Sequence, residues 1–504
     1  MAGHIYGAIN LGSSEIALKV FEISKKNGII ELTHVRHKFA IGEETYSTGV
    51  VSYKSMTEIC TTLNDFKRIM EEFGVQSSDV YATSGIREAE NMLVLVDQIR
   101  IQTGYDVRTL SNSEARFLYY KALAAKDAKF NECINEGTLV ADVGAGSMQL
   151  SVFDKGSLLV TENLLLGSSR IHELLQVMED EAYDFNDLID EYIEKDITNF
   201  FRKHTEGIDI RHVIAIGGMI PDAYYYMKNR KSEFDGFIKS KSMIKNKYFI
   251  GLPKHTTKLL IPTIMILRKI VEQAHIDKLV LSPIDLCDSM ASEFAERKLR
   301  MPIDHDFTRD ILAMADTVAT KYRSDMEHIK TIETLSLQIF DHIKKLHGLG
   351  KRERLLLQIA VRLHNIGSFI SDSHSRENSY HIIMNTELIG ISDRERRMIA
   401  NMIRYNEDRF PDYLSISDDI SKEQYITVVK LNAILKTANV LDKSNRHKIK
   451  TVGVRLDGDI LTITAETMAD ITLERGLFHD KANAFEEIFG IRPKLVQKKT
   501  GRNM

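Results

Sequence analysis

Two short runs of small residues stand where they could hold phosphate. One is Gly12-Ser13-Ser14 within GAINLGSSEIALKVFE (residues 7–22), and the other is Gly144-Ala145-Gly146-Ser147 within ADVGAGSMQLSVFD (141–154). Glycine permits positive φ and lets backbone N–H groups approach an anion closely, while Ser13 and Ser147 add hydroxyl donors. A third pair, Gly217-Gly218, ends the apolar run HVIAIGGMI (212–220) and could close on the same ligand from one side. Taken singly, each run also suits an ordinary hairpin turn. Their relationship argues for more: laying residues 9–22 over 141–154 aligns Asn10 with Asp142, Gly12 with Gly144, Leu18 with Leu150 and Phe21 with Phe153, without a gap, at a constant offset of 132.

The elements that must position these turns follow from periodicity. Apolar residues alternate after each turn, as in half-buried strands, so each copy reads as strand, tight turn, strand. Between the copies, DVYATSGIREAENMLVLVDQIRIQTG (79–104) reads as a strand, a polar loop and a helix with Ser84 as N-cap. Arg87 falls in the first turn of that helix, where the dipole disfavours a cation and an anionic ligand would relieve the conflict. The alternative is an ion pair with Glu88 or Glu90 on a solvated face. VRTLSNSEARFLYYKALAA (107–125) reads as a strand, a turn and an amphipathic helix with Glu114 near its start. A first-turn glutamate is ordinarily a favourable capping charge.

Bulk properties exclude several classes. A chain of 504 residues implies about three or four domains. Lys and Arg total 67 against 71 Asp and Glu, a net charge of −4, so neither nucleic acid nor an anionic membrane is attracted by the chain as a whole. The basic clusters Lys239, Lys241, Lys245, Lys247 and Lys494, Lys498, Lys499, Arg502 could guide a polyanion locally, although such runs commonly form solvated faces. Three widely spaced cysteines (Cys60, Cys133, Cys287) suit reduced thiols, and neither a signal peptide nor a long apolar run is present, so a cytoplasmic location is expected.

The motifs GAINLGSSEIALKV, YATSGIREAEN, LSNSEARFLYY and VADVGAGSMQL occur in an order and spacing that resembles the exopolyphosphatase and guanosine pentaphosphate phosphohydrolase (Ppx/GppA) family. The resemblance covers essentially the whole chain. It implies a duplicated two-lobe α/β half of the actin, Hsp70 and sugar-kinase type (ribonuclease H-like), with a phosphate chain lying between the lobes. An all-α HD-like domain and a small α+β appendage follow. Expected boundaries are 1–125 and 126–300 for the lobes, 301–445 for the helical domain and 446–504 for the appendage. By the same resemblance, Gly12 to Ser14 and Gly144 to Ser147 cradle phosphoryl oxygens and Arg87 neutralises their charge. Asp142 helps hold Mg²⁺ or Mn²⁺, and Glu114 acts as general base on the attacking water. Polyphosphate, or guanosine penta- or tetraphosphate, is the implied substrate, and a homodimer the implied assembly.

Two cleft positions depart from the family pattern: Asn10 replaces an aspartate of the first phosphate loop, and Gln149 stands where many members have a glutamate. An amide brings no charge to a hard cation. The helical half, 302–369, shows apolar residues at i, i+3, i+4 and i+7, broken at HGLG. His328 and His364 match HD histidines, but the pair reads His364-Asn365, SREN (375–378) replaces a histidine-rich stretch, and Asn406 and Asn439 stand where histidine and the last aspartate are usual. Loss of both carboxylates implies no metal there. Asp457-Gly458 marks a hairpin in the appendage.

Overall fold

A computed structural model describes residues 3–39, 41–126, 128–179, 184–227, 254–276, 279–303, 305–449, 451–458 and 460–499. The basic cluster Lys239, Lys241, Lys245, Lys247 and Arg502 lie outside the described residues. The chain divides into two units, Met1–Asp310 and Ile311–Met504.

In the first unit each repeat forms strand, tight turn, strand. Strand β1 (His4–Leu11) pairs antiparallel with β2 (Ile16–Ser24), which pairs with β3 (Gly28–His37). Strands β4 (Ser77–Ala82) and β5 (Val107–Thr109) add in parallel, giving the order β3-β2-β1-β4-β5. The second copy uses β6 (Gly137–Val143), β7 (Met148–Asp154), β8 (Ser157–Leu164), β9 (Ile210–Ile216) and β10 (Leu279–Leu281) in the order β8-β7-β6-β9-β10, with the same parallel and antiparallel senses. The duplication reaches single residue pairs. Asn10 faces Ala17 across one hairpin as Asp142 faces Gln149 across the other. This is the duplicated α/β fold of the actin, Hsp70 and sugar-kinase class.

The central strands are covered on both faces, so the alternation in the sequence does not mean half-burial. On one face of the first sheet, Ile9, Leu11, Ile16, Leu18 and Val20 pack with Ile59, Leu63, Phe66, Leu95 and Ile99. On the other, Tyr6, Ala8, Ala17 and Phe21 pack with Ala115, Leu118, Leu286, Met290 and Phe294. Burying each large apolar side chain stabilises by about 1.5–3 kcal/mol. The helix Leu286–Leu299 follows the second sheet in the chain, yet it closes the core of the first. The chain therefore returns to the first lobe after building the second, within the 126–300 span expected for the second lobe alone.

A second difference lies in 79–104. The helix there is split into Ser84–Arg87, with Thr83 as N-cap, and Met92–Thr103. Tertiary hydrogen bonds outcompete the helical ones between them: Glu90 N–H donates to Gly49 O at 2.9 Å, and Asn91 exchanges bonds of 3.2 and 2.9 Å with the Val51 backbone.

The second unit is a helical bundle with a small sheet. Helix Met326–His342 buries Ile329, Ile332, Leu335 and Ile339, as its 3.6-residue period requires. The HGLG break is real: Gly348, at φ +67°, ends the short helix Lys344–His347, and Gly350 precedes the helix Lys351–Leu363. Helices Asp393–Arg404 and Lys422–Asn439 complete the main packing. In the appendage, β11 (Val452–Asp457) pairs antiparallel with β12 (Ile460–Glu466), and β13 (Arg492–Lys498) pairs parallel with β12 after the helix Thr472–Phe489. Among the described residues no helix is long and apolar enough to cross a membrane.

Candidate active site

The two repeated turns and the glycines after β9 meet in one cavity of about 250 Å³. Asn10 with Gly12, Ser13 and Ser14 lines one side, Asp142 with Gly144, Ala145, Gly146 and Ser147 another, and Gly217 with Gly218 a third. The two turns are closed by the same bond: Gly12 N–H donates to Glu15 O at 2.9 Å and Gly144 N–H to Ser147 O at 3.0 Å. Gly217 and Gly218 take φ of +80° and +44° and approach so closely that a Cβ on Gly217 would overlap Asp142 Oδ1, and one on Gly218 the Val143 carbonyl. Only glycine fits there.

The Ser13 hydroxyl is tied into a triangle with Tyr46 Oη (2.8 Å) and Ser84 Oγ (3.1 Å), themselves 2.8 Å apart. Burial pushes the Tyr46 phenol above its ordinary pKa, so it serves as a neutral donor that sets the turn. Arg170 lies over the Tyr46 ring at 4.8 Å, donates to Gly146 O at 2.7 Å and pairs with Glu88 at 2.7 Å, bracing the second turn against the first lobe.

Asp142 is buried at the end of β6. Burial raises its carboxyl pKa, and the Arg116 guanidinium offsets part of that shift. The pair is close, Nε to Oδ2 at 2.8 Å, but the N–H is not aimed at the oxygen, and neither atom makes an aligned hydrogen bond. Asn10 Oδ1 is likewise buried without a hydrogen-bond partner. Asn10 and Asp142 thus offer two oxygens with unused acceptor capacity. They fit a divalent ion that arrives on substrate phosphates, since Mg²⁺ is commonly bound through one or two protein oxygens together with phosphates and water.

Three of the residues expected in the site do not line the cavity. Arg87 donates to Leu110 O at 2.7 Å and Asn112 Oδ1 at 2.8 Å, and pairs with Glu88 at 3.2 Å. Glu114 forms a reciprocal cap with Ser111, accepting from its N–H at 3.0 Å, and pairs with Arg108 at 2.9 Å. Gln149 is fully buried on β7, where its amide donates to Thr161 Oγ1 beside the bonded pair Ser151 and Tyr120.

Other charged groups do line it. Lys19 is buried and bridges Asp285 (2.8 Å), Asp288 (2.9 Å) and Glu31 (3.1 Å), with Lys126 at 2.5 Å on Asp288. Asp285, the N-cap of Leu286–Leu299, faces the cavity with a quarter of its side chain exposed. Burial and the Asp288 charge push its pKa up, against the pull of Lys19. Asp288 is driven the other way: burial raises it, but Lys126 and Lys19 outweigh that and hold it ionised. A carboxylate some 266 residues from its lysine carries no local signal, and Arg116, in LSNSEARFLYY, reads as an ordinary helix-surface cation.

The family model for the Ppx/GppA phosphatase family matches residues 20–288, and that for Ppx/GppA phosphatase domain III matches 312–481. The chain belongs to the Ppx/GppA phosphatase family. A guanosine-5'-triphosphate,3'-diphosphate pyrophosphatase of Vibrio atlanticus is 20% identical over 96% of this chain and 97% of its own length. Exopolyphosphatase 1 of Mycobacterium bovis is 22% identical over 33% of this chain and 47% of its own. The crystal structure of the Aquifex aeolicus Ppx/GppA family member is 19% identical, covering 58% of this chain and 99% of that one with a TM-score of 0.47.

In Ile311–Met504 the HD-like positions form a buried chain of hydrogen bonds. His364 Nδ1–H donates to Val361 O at 2.6 Å, and the Nε2 atoms of His364 and His328 are 3.3 Å apart. His328 Nδ1–H donates to Asp442 at 2.8 Å, and the His447 ring and backbone N–H also bond Asp442, at 3.0 and 2.7 Å. The carboxylate beside His328 is therefore Asp442, three residues beyond Asn439, the position expected from the HD pattern. Asn439 ends the helix Lys422–Asn439, and the following turn carries Asp442 inward.

Proposed function

We propose that the cavity in Met1–Asp310 hydrolyses the terminal phosphoanhydride of inorganic polyphosphate. The observation that carries this reading is the meeting of two duplicated glycine turns and the Gly217-Gly218 strand end in one polar cavity. Family membership and a relative named exopolyphosphatase support it. The match over 96% of the chain to a guanosine pentaphosphate enzyme favours a second reading, in which that nucleotide presents the same anhydride to the same turns. With the net charge at −4, neither nucleic acid nor membrane is part of the proposal, and a cytoplasmic homodimer remains its expected form.

Backbone N–H groups around Gly12 to Ser14 and Gly144 to Ser147 would hold the terminal phosphoryl oxygens, which places the reacting phosphorus and excludes bulk water. Asn10 and Asp142 would hold Mg²⁺ or Mn²⁺, which when bound neutralises phosphoryl charge. Hydrolysis then needs a water in line with the bridging oxygen and a group to accept its proton. The resemblance gives that role to Glu114, whose carboxylate is engaged by Arg108 and Ser111 outside the cavity. Asp285 lines the cavity, and its pKa is raised from the ordinary carboxylate value, toward the range in which a base works near neutral pH. We assign it the proton: water attacks phosphorus, the bridging P–O bond breaks, Asp285 accepts the proton, and orthophosphate and the shortened chain leave. Phosphate release from long polyphosphate, tripolyphosphate and guanosine pentaphosphate, each with and without Mg²⁺, tests the reading. Release fastest from polyphosphate is expected, and binding without release from any of them would mark a sensor.

A further inference from the structure

Arg116 lies on the helix Asn112–Lys126 with its side chain nine-tenths buried, yet it lines the cavity. Its fork sits beside the second phosphate turn, since a Cβ built on Gly144 would lie 3.6 Å from Nη2. Its ion-pair partner is Asp142, at 2.8 Å from Nε, and that N–H is not aligned on the oxygen. Among the described residues no hydrogen bond from either Nη group is present. A guanidinium carries five N–H donors, and buried polar groups are nearly always bonded. Nε is the guanidinium nitrogen that is buried without a partner, whereas the Nη groups are not among the buried unpartnered atoms, so the fork opens onto the cavity beside the second turn with no side-chain or backbone acceptor among the described residues. An occupant with several anionic oxygens would satisfy it, and a guanidinium fork matches phosphate in a bidentate manner.

We infer that Arg116 is the phosphoryl-binding residue of the cavity and holds a phosphate chain there without a divalent metal ion. The inference rests on the phosphate reading of the site and adds to it the group that supplies the charge. Asp142 then has two partners to choose between. With Arg116 on the phosphate, its Oδ2 is released to face a cation, so the anion binds first and a metal ion joins it.

Calorimetric titration with tripolyphosphate in EDTA and in Mg²⁺ tests this. The unaltered protein should bind in EDTA within about threefold of its affinity in Mg²⁺. Arg116→Met should bind at least about 30-fold more weakly in both, the effect expected for losing charge-assisted bonds. Arg116→Lys keeps the charge but loses the fork and should bind about tenfold more weakly, which decides the matter if the methionine variant proves unfolded by circular dichroism. Asp142→Asn should bind tripolyphosphate several-fold more tightly in EDTA, because a competing negative charge is gone. Binding by the unaltered protein only when Mg²⁺ is present, or equal binding by the Arg116 variants in EDTA, overturns the inference while leaving the phosphate cavity intact. No binding under either condition overturns the phosphate reading as well.

Discussion

Arg116 with Asp142 in Met1–Asp310, and His328 with Asp442 in Ile311–Met504, are both buried pairs of opposite character, but their surroundings differ. Around Asp442 every oxygen is used: His328 and the ring and backbone of His447 all donate to it, and the far ring, His364, ends on the Val361 carbonyl. Because His328 and His364 each commit their Nδ1–H, the 3.3 Å contact between their Nε2 atoms requires one more proton. Burial and the charge on His328 push the His364 pKa down to about 4. The cluster is closed by its own hydrogen bonds. Around Asp142, by contrast, Asp142 Oδ2, Asn10 Oδ1 and Arg116 Nε are buried without a hydrogen-bond partner, on three residues that line a cavity. A saturated buried cluster stabilises a fold, and an unsaturated one invites a ligand.

The largest break in this contrast should come from the cavity. Asp285→Asn is expected to lower kcat by about 10²-fold or more while tripolyphosphate binding stays within a few-fold, since a positioned base contributes that much and the turns remain. Equal losses in kcat and binding would assign Asp285 a structural role through Lys19.

Next in size, Asn10→Asp should tighten Mg²⁺ and raise kcat/KM by about tenfold at low Mg²⁺, the change that each 1.4 kcal/mol of added attraction gives. A fall in the rate would mean that the amide donates to a phosphoryl oxygen, and the metal assignment at Asn10 would be withdrawn.

The histidine cluster should respond in stability alone. A histidine held at about 4 when folded and near 6.5 when unfolded binds its proton more readily in the unfolded chain. Stability is therefore present above about pH 6.5 and is lost as the pH falls toward 4, by on the order of 3 kcal/mol. Asp442 adds to the loss further down. Burial raises its pKa, but the bonds from His328 and His447 outweigh that and hold it below the ordinary carboxylate value, so its contribution disappears below about pH 4. Thermal unfolding followed by circular dichroism between pH 7 and 4.5 should show this slope, and His364→Gln should flatten it without changing kcat at pH 7.5.

The smallest effect is expected at Glu114. Replacement by glutamine removes a capping and surface charge worth about 1 kcal/mol, so the melting temperature should drop slightly and kcat should stay within twofold. A loss of 10²-fold with intact folding would return the base to Glu114 and require the Arg108 pair to open during turnover.

What the sequence shows in advance follows from how local each signal is. The 132-residue repeat is legible because a tight turn and two alternating strands restrict every position they use, and Gly12 and Gly144 recur with their partners Glu15 and Ser147 in the same geometry. The bundle helices are legible from period, and HGLG from glycine chemistry. Glu114 sits in the expected motif but bonds Ser111 and Arg108, because short-range partners in a cap cost little order to reach, whereas Arg87 is drawn to Leu110 and Asn112 at the start of the helix Asn112–Lys126, partners that its own motif does not contain. Arg116 stands two residues from Glu114, and it reaches Asp142 only because its helix packs on the first sheet and on the helix Leu286–Leu299 while Tyr120 ties it to Ser151 of the second sheet. Lys19 and Asp285 meet through the return of the chain to the first sheet, which no window of sequence contains. Asp442 was displaced from Asn439 by one helical turn, a difference decided where the helix ends.

The account stands most directly on where the anion sits. A crystal structure of the Asp285→Asn protein with tripolyphosphate should show the terminal phosphoryl group within hydrogen-bond reach of the Gly12 to Ser14 and Gly144 to Ser147 backbone and of the Arg116 fork. Tripolyphosphate bound elsewhere, with the cavity holding only water and Arg116 still paired to Asp142, would contradict it.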